Sequence, residues 1–243
     1  MKMNDELNLG QSNTGNRRDF IRTGVKAGIV SGIIGIGLFS ACQEKEKGEG
    51  QEVSPPEDLM QEHGLLNRVL LIYDDCRMNL INKKDFDKKA LLESADIIRT
   101  FVEDYHEKQE ENYLFPRFEK VKQLTDLVKQ LREQHKAGRV ITDNITQLAK
   151  INTFLEGDTA KMIGFLESFN RMYRPHEARE DTVLFPAFRK IVSRHEYDSL
   201  GEEFEKNEHK IFGEGGFEVM VEKVSVVEKS LGIYELTQFT PKL

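Results

Sequence analysis

Apolar positions along the middle of the chain recur every three to four residues, the period of an amphipathic helix. The first such stretch puts Leu59, His63, Leu66, Leu70 and Tyr73 on one stripe, and the second puts Leu91, Ala95, Ile98, Val102, His106 and Glu110 on one stripe. The third aligns Val128, Leu131, His135, Gly138, Thr142 and Ile145, and the fourth Met162, Phe165, Phe169, Met172, His176 and Glu180. Ser54-Pro55-Pro56-Glu57 reads as the start of the first helix: a Ser cap, Pro at the first position and Glu three after the cap. That helix runs from about Pro55 to about Asn82, and the polar Asn82 to Asp85 is a turn. Pro116 bends or ends the second helix, and the third begins near Val121. Glu156-Gly157-Asp158 joins a helix-ending Gly to a helix-starting Asp, and Pro175 kinks the fourth helix from inside. The predicted fold class is all-α, an up-down four-helix bundle.

Each stripe carries an imidazole where a core residue belongs. In an up-down bundle, residues of antiparallel neighbours share a level when the turn is their midpoint. The midpoints of His63 and His106, His106 and His135, and His135 and His176 fall at 84.5, 120.5 and 155.5, each within a few residues of a predicted turn. Four histidines therefore reach one level, with Glu110 and Glu180 one turn away.

The surroundings of these residues repeat. His106-Glu107-Lys108-Gln109-Glu110-Glu111-Asn112-Tyr113-Leu114-Phe115-Pro116 returns 70 residues later as His176-Glu177-Ala178-Arg179-Glu180-Asp181-Thr182-Val183-Leu184-Phe185-Pro186. Gln61-Glu62-His63 returns 72 residues later as Glu133-Gln134-His135. The chain is a duplicated helix pair, each giving one His from its first helix and a His and a Glu from its second. His and Glu four apart stack on one helical face, which is how helices present ligands to a metal. A core of privately paired histidines and glutamates is the plain alternative. No Lys or Arg recurs on these stripes, and an unpaired buried carboxylate costs several kcal/mol, so the metal reading is preferred. His195 and His209 stand outside the pattern among charged residues and read as surface or structural.

Composition changes the picture at the N-terminus. Asn16-Arg17-Arg18-Asp19-Phe20 matches a twin-arginine export motif, and an apolar run follows from Ala27 to Ala41. At 15 residues it is shorter than the roughly 20 of a comfortable membrane span. Leu38-Phe39-Ser40-Ala41-Cys42 resembles a lipoprotein cleavage box with Cys42 as the lipidated residue; ordinary cleavage or an uncleaved anchor is the alternative. Residues 1–41 then form a signal peptide, 42–54 a polar tether, 55–190 the bundle and 191–243 a helical extension with Val219, Val224, Val227 and Leu231 among its buried residues. Loss of residues 1–41 takes the net charge from −7 to −9, a poor match for nucleic acid. A lipidated Cys42 leaves Cys76 without a disulfide partner.

The doubled phrase and its preceding histidines, over Pro55 to Lys190, resemble a hemerythrin-type HHE cation-binding domain. The resemblance implies a four-helix bundle around a non-haem di-iron site. Two irons per chain, with an oxo or hydroxo bridge, are held by terminal His63, His106, His135 and His176 and bridging Glu110 and Glu180. Each iron is then five-coordinate, and the open position suits O₂, NO or peroxide. Imidazole with carboxylate also suits manganese or zinc. Oxygen-carrying animal hemerythrins have a further His four residues after the third-helix His, where this chain has Arg139. The four-His, two-Glu set is more similar to di-iron proteins that repair iron centres under nitrosative stress. Gly138 and Thr142 either leave a pocket beside His135 or let helices pack closely. The expectation is an exported, lipid-tethered di-iron protein that binds O₂ or NO, more a binder than a catalyst. A di-iron protein that reacts with NO or peroxide or repairs iron centres is the second reading, and iron storage the third.

Overall fold

Ser54 opens the first helix as its capping sequence predicts: its N–H donates to the Glu57 carboxylate at 3.0 Å, and Pro55 and Pro56 lead the helix. The structure is a computed structural model that describes residues 54–242. The twin-arginine motif, Cys42 and the tether up to residue 53 lie outside the described residues. Helix α1 is Pro55–Ile81. Helix α2 covers 89–121, with α-helical Lys89–Ile97, Glu107–Gln109 and Phe115–Val121 joined by π-helical Ile98–His106 and Glu110–Leu114. Helix α3 is Thr125–Ala149, and α4 covers 156–191 as Glu156–Arg179, a π-helical Glu180–Leu184 and Phe185–Ile191. Each of these four packs on the next, and α1 also packs on α4, closing an all-α bundle. Two further helices, α5 (Arg194–Phe212) and α6 (Gly216–Leu231), lie against α1 and α2.

Several boundaries differ from expectation. Pro116 does not end α2. It sits just after the Glu110–Leu114 π turn, at the head of a resumed α-helical segment, so its missing N–H falls where the hydrogen-bond ladder changes register. Val121 closes α2 rather than opening α3. The link that follows is tight, with Lys122 and Leu124 both left-handed at φ 55° and 51°. Glu156, Gly157 and Asp158 are the first turn of α4, not a turn between helices; Asp158 accepts from the Leu155 N–H at 3.2 Å, and the connection is 150–155. Pro175 lies inside α4 at an exposed position.

The π turns have a physical reason. Four residues advance an α-helix about 40° beyond a full turn, so a run of four-residue steps drifts round the helix. His106, Glu110, Leu114 and Phe118 are such a run, as are His176, Glu180, Leu184 and Phe188, yet all eight are buried. The wider π turn, closed in each copy by the amide of Phe115 or Phe185 on the carbonyl of Glu110 or Glu180, takes the drift back.

The core falls into two apolar clusters. One contains Leu70, Tyr73, Ile98, Phe101, Ile145 and Phe169, and the other Leu59, Leu114, Phe115, Leu131, Leu184 and Phe185. On every bundle helix the singled-out His, with its Glu on α2 and α4, falls between the residues of one cluster and those of the other. On α4, Leu166 and Tyr173 are fully buried while the expected Phe165 and Met172 are only partly so. Cys76 is a buried free thiol in the first cluster, and burial pushes it up to about 12.

The extension is helical, with Met220, Val224 and Val227 buried, but Val219 faces solvent at 42 % exposure because it lies on the outer side of α6. Leu231 is partly buried. Arg68 of α1 ties α6 down, donating to Glu228 at 2.9 Å and to Ser225 at 2.9 Å. Arg68→Ala leaves the Glu228 carboxylate buried without that partner. It is expected to cost about 2 kcal/mol and to speed amide hydrogen exchange through 216–231, with metal content unchanged.

Candidate metal centre

All six singled-out residues converge, each under 5 % exposed. His63 Nε2 and His106 Nε2 are 3.1 Å apart. Glu110 Oε2 lies 3.8 Å from His106 Nε2 and 3.4 Å from His135 Nε2. Glu180 Oε2 lies 3.5 Å from His63 Nε2 and 3.1 Å from His176 Nε2. The rings of His135 and His176 are 5.0 Å apart, and those of His63 and His106 4.8 Å. Two pairs of imidazoles thus face each other across two carboxylates, and each carboxylate reaches one imidazole of each pair.

The outer ring nitrogens are all occupied. His63 Nδ1 is 2.7 Å from Asp181, His106 Nδ1 2.7 Å from Glu62, His135 Nδ1 3.1 Å from Glu111 and His176 Nδ1 2.9 Å from the Gln134 side-chain oxygen. These oxygens accept, so each Nδ1 presents a proton outward, and the Nε2 of each neutral ring turns a lone pair inward. Stacking sets the ring planes: Phe185 lies on His63 at 5.6 Å and Phe115 on His135 at 5.5 Å. The Leu-Phe-Pro ending of each phrase therefore supports a histidine of the other repeat.

The inner side is the reverse. Both oxygens of Glu110 and both of Glu180 are buried without a hydrogen-bond partner among the described residues, and so is His135 Nε2. With protein charges alone, burial and the neighbouring Glu180 push Glu110 well above the usual carboxylate range. Burial opposes the charge of Glu180 too, but His176 and His63 hold it well below that range. Burial also opposes charge on His63; Asp181 and Glu180 outweigh it and raise the imidazole to about 10, whereas burial takes His135 down to about 4. Inward lone pairs around orphaned carboxylates are a donor set for a cation, and Glu110, His135, His176 and Glu180, or His63, His106 and Glu110, are spaced to hold one.

A further ring of residues escaped the sequence reading. Glu107 accepts from Tyr173 Oη at 2.8 Å and from Arg139 at 2.6 Å, and Glu177 accepts from Asn67 at 2.5 Å. Burial raises both carboxyls to about 8. Glu107 and Glu177 follow the histidines in both copies of the phrase, and Asn67 and Arg139 stand four after His63 and His135, so repetition was the available signal. Gly138 opens no pocket: a Cβ there would meet Tyr173 Oη at 2.1 Å, because the phenol fills that space. Close approach is what Gly138 provides. His195 and His209 are exposed and away from the centre.

The chain belongs to the hemerythrin HHE cation-binding family, whose pattern matches residues 54–188. It is 44% identical over 219 residues to an uncharacterized protein of Mycobacterium tuberculosis, and equally to one of Mycobacterium bovis, covering 85% of this chain and 86% of each relative. No solved structure matches. It is thus a metal-binding protein by family and has His and Glu groups able to hold a metal.

Gly138→Ala must displace Tyr173 and break its bond to Glu107. A loss of about 1–3 kcal/mol is expected in thermal or denaturant unfolding, and Tyr173→Phe in the same chain should not relieve the remaining clash with the ring.

Proposed function

We propose that this chain holds two irons, one at His63 and His106 and one at His135 and His176, with Glu110 and Glu180 shared between them. The observation that carries this is the contrast between outer and inner atoms. Every Nδ1 has an acceptor, while the four oxygens of Glu110 and Glu180 have no hydrogen-bond partner among the described residues. Two pairs of imidazoles sharing two carboxylates match a pair of metals better than a single one. Imidazole and carboxylate together suit iron, and the pair would supply a redox couple and open coordination positions.

The function proposed is reversible binding of a diatomic ligand, O₂ or NO. Tyr173 fills the space beside Gly138, and apolar clusters close both sides of the layer, so the surroundings favour a small ligand. Iron storage is the third reading. Redox turnover of NO or peroxide, or repair of iron centres, is the second reading. It draws on Tyr173, a phenol hydrogen-bonded to Glu107 with its ring 5.5 Å from that of His176. Absorption spectra in air, under argon and with NO separate the two: a charge-transfer band that returns unchanged on cycling O₂ supports binding, and progressive bleaching supports turnover.

The metal claim is tested by elemental analysis of protein purified without chelators, with two irons per chain expected. His106→Ala and His176→Ala should each lose metal and cost about 3 kcal/mol or more, since each leaves a buried carboxylate without counter-charge. His209→Ala should retain both metals. A wild-type stoichiometry of one or none overturns the reading.

The proposal also places the bundle outside the cytoplasm, carried by the twin-arginine route and held at a membrane by lipid on Cys42. The Arg17-Arg18 motif, the Leu38 to Cys42 box and the polar tether support it. The ligand candidates span His63 to Glu180 and meet only once the bundle has closed, which suits a route that carries folded proteins with metal already bound. Mass spectrometry of the mature N-terminus should find lipidated Cys42, and Arg17→Lys with Arg18→Lys should trap iron-loaded precursor in the cytoplasm. An unmodified Cys42 refutes the anchor, and normal export of the double variant refutes the route.

A further inference from the structure

The two imidazole pairs are alike in ligand type but not in what backs them. The repeat matches residues one for one: Glu62 with Gln134, Asn67 with Arg139, Lys108 with Ala178, Glu111 with Asp181. Behind the first pair, His106 donates to the Glu62 carboxylate and His63 to the Asp181 carboxylate. The positions matching the cations of the other half are here the neutral Asn67 and Ala178. Behind the second pair, His176 donates to a neutral amide oxygen, that of Gln134. His135 donates to Glu111, whose charge is shared with Arg139 at 2.8 Å and Lys108 at 2.6 Å.

An anionic acceptor on Nδ1–H raises the electron density that the imidazole offers through Nε2. A neutral amide does so less, and so does a carboxylate already engaged by two cations. Arg139 also reaches Glu107 at 2.6 Å, bringing its fixed positive charge close to the second pair, whereas Asn67 makes the matching bond to Glu177 without charge. All three differences act in the same direction.

We infer that the two metal positions are unequal: the His63–His106 position binds its metal more tightly and better tolerates a higher metal charge, and the His135–His176 position is the weaker one, loaded second and lost first. This rests on the two-metal reading above, and it identifies Glu62, Gln134 and Arg139 as positioning residues that set the difference.

The test uses the full chain loaded with Zn²⁺, which does not change oxidation state, and brought to equilibrium with graded amounts of a chromophoric chelator. Far-ultraviolet circular dichroism checks at each point that the bundle stays folded. The two metals should leave in separate steps at least about tenfold apart, the lower range for changes in such outer partners. Gln134→Glu should tighten the weaker step about tenfold and leave the tighter one in place. Arg139→Asn, which installs the residue of the matching position, should move the weaker step the same way. Glu62→Gln should instead weaken the tighter step, and because it keeps the shape and hydrogen-bonding capacity of the side chain, the fold should survive. Two metals leaving with only the statistical spacing of identical sites overturns the inference and leaves the two-metal reading standing. Substitutions that shift both steps equally also overturn it. A chain that takes up one zinc or none refutes the two-metal reading itself.

Discussion

Two carboxylates facing each other in the middle of an apolar bundle are the constraint on which the rest depends. Glu110 and Glu180 are fully buried, and neither finds a hydrogen-bond donor among the described residues. Charge in that position needs counter-charge at short range, and no Lys or Arg among the described residues forms an ion pair with them. The imidazoles meet the need only in part: His63 and His176 hold Glu180 low, while Glu110 stays well above the usual carboxylate range. Every other feature of the layer keeps that arrangement in place. Glu62, Glu111, Gln134 and Asp181 hold the protons outside. Phe115 and Phe185 lie on the rings, and the π turns bring Glu, Leu and Phe of each phrase to the same face.

Much of this was legible in the sequence because two periodicities coincided. The helical period marked the buried stripes, and the repeat marked which polar members of those stripes mattered. Midpoints between histidines place those four at one level with the two glutamates a turn away, and the structure brings all six together. What escaped depends on contacts across the bundle. That Tyr173 rather than Met172 turns inward, and that its phenol takes the room left by Gly138, follows from how closely α3 and α4 approach. By α-helical rules Pro116 marks a bend or an end. A π turn is invisible to a scale built on one period, although the unbroken four-residue spacing from His106 to Phe118 was its trace.

The extra helices have a different logic. Phe212 and Phe217 meet Phe101 at 5.6 and 5.9 Å, and Arg68 fastens α6 from the side. They cover the α1–α2 face, whereas α3 and α4 have no comparable cover among the described residues. The two halves of the repeat therefore differ in their surroundings as well as in the groups behind the histidines.

The duplication has a consequence for how such a centre can change. In a symmetric pair of identical helix hairpins, any substitution alters the surroundings of both histidine pairs at once, so no change can be confined to one. Here the two hairpins are written separately along one chain, joined through the short 122–124 link. Position 62 can remain acidic while position 134 becomes an amide, and position 67 can remain neutral while position 139 gains a charge. One chain thus lets mutation and selection act on each half of the centre independently, while the shared carboxylates keep both halves in a single structural unit.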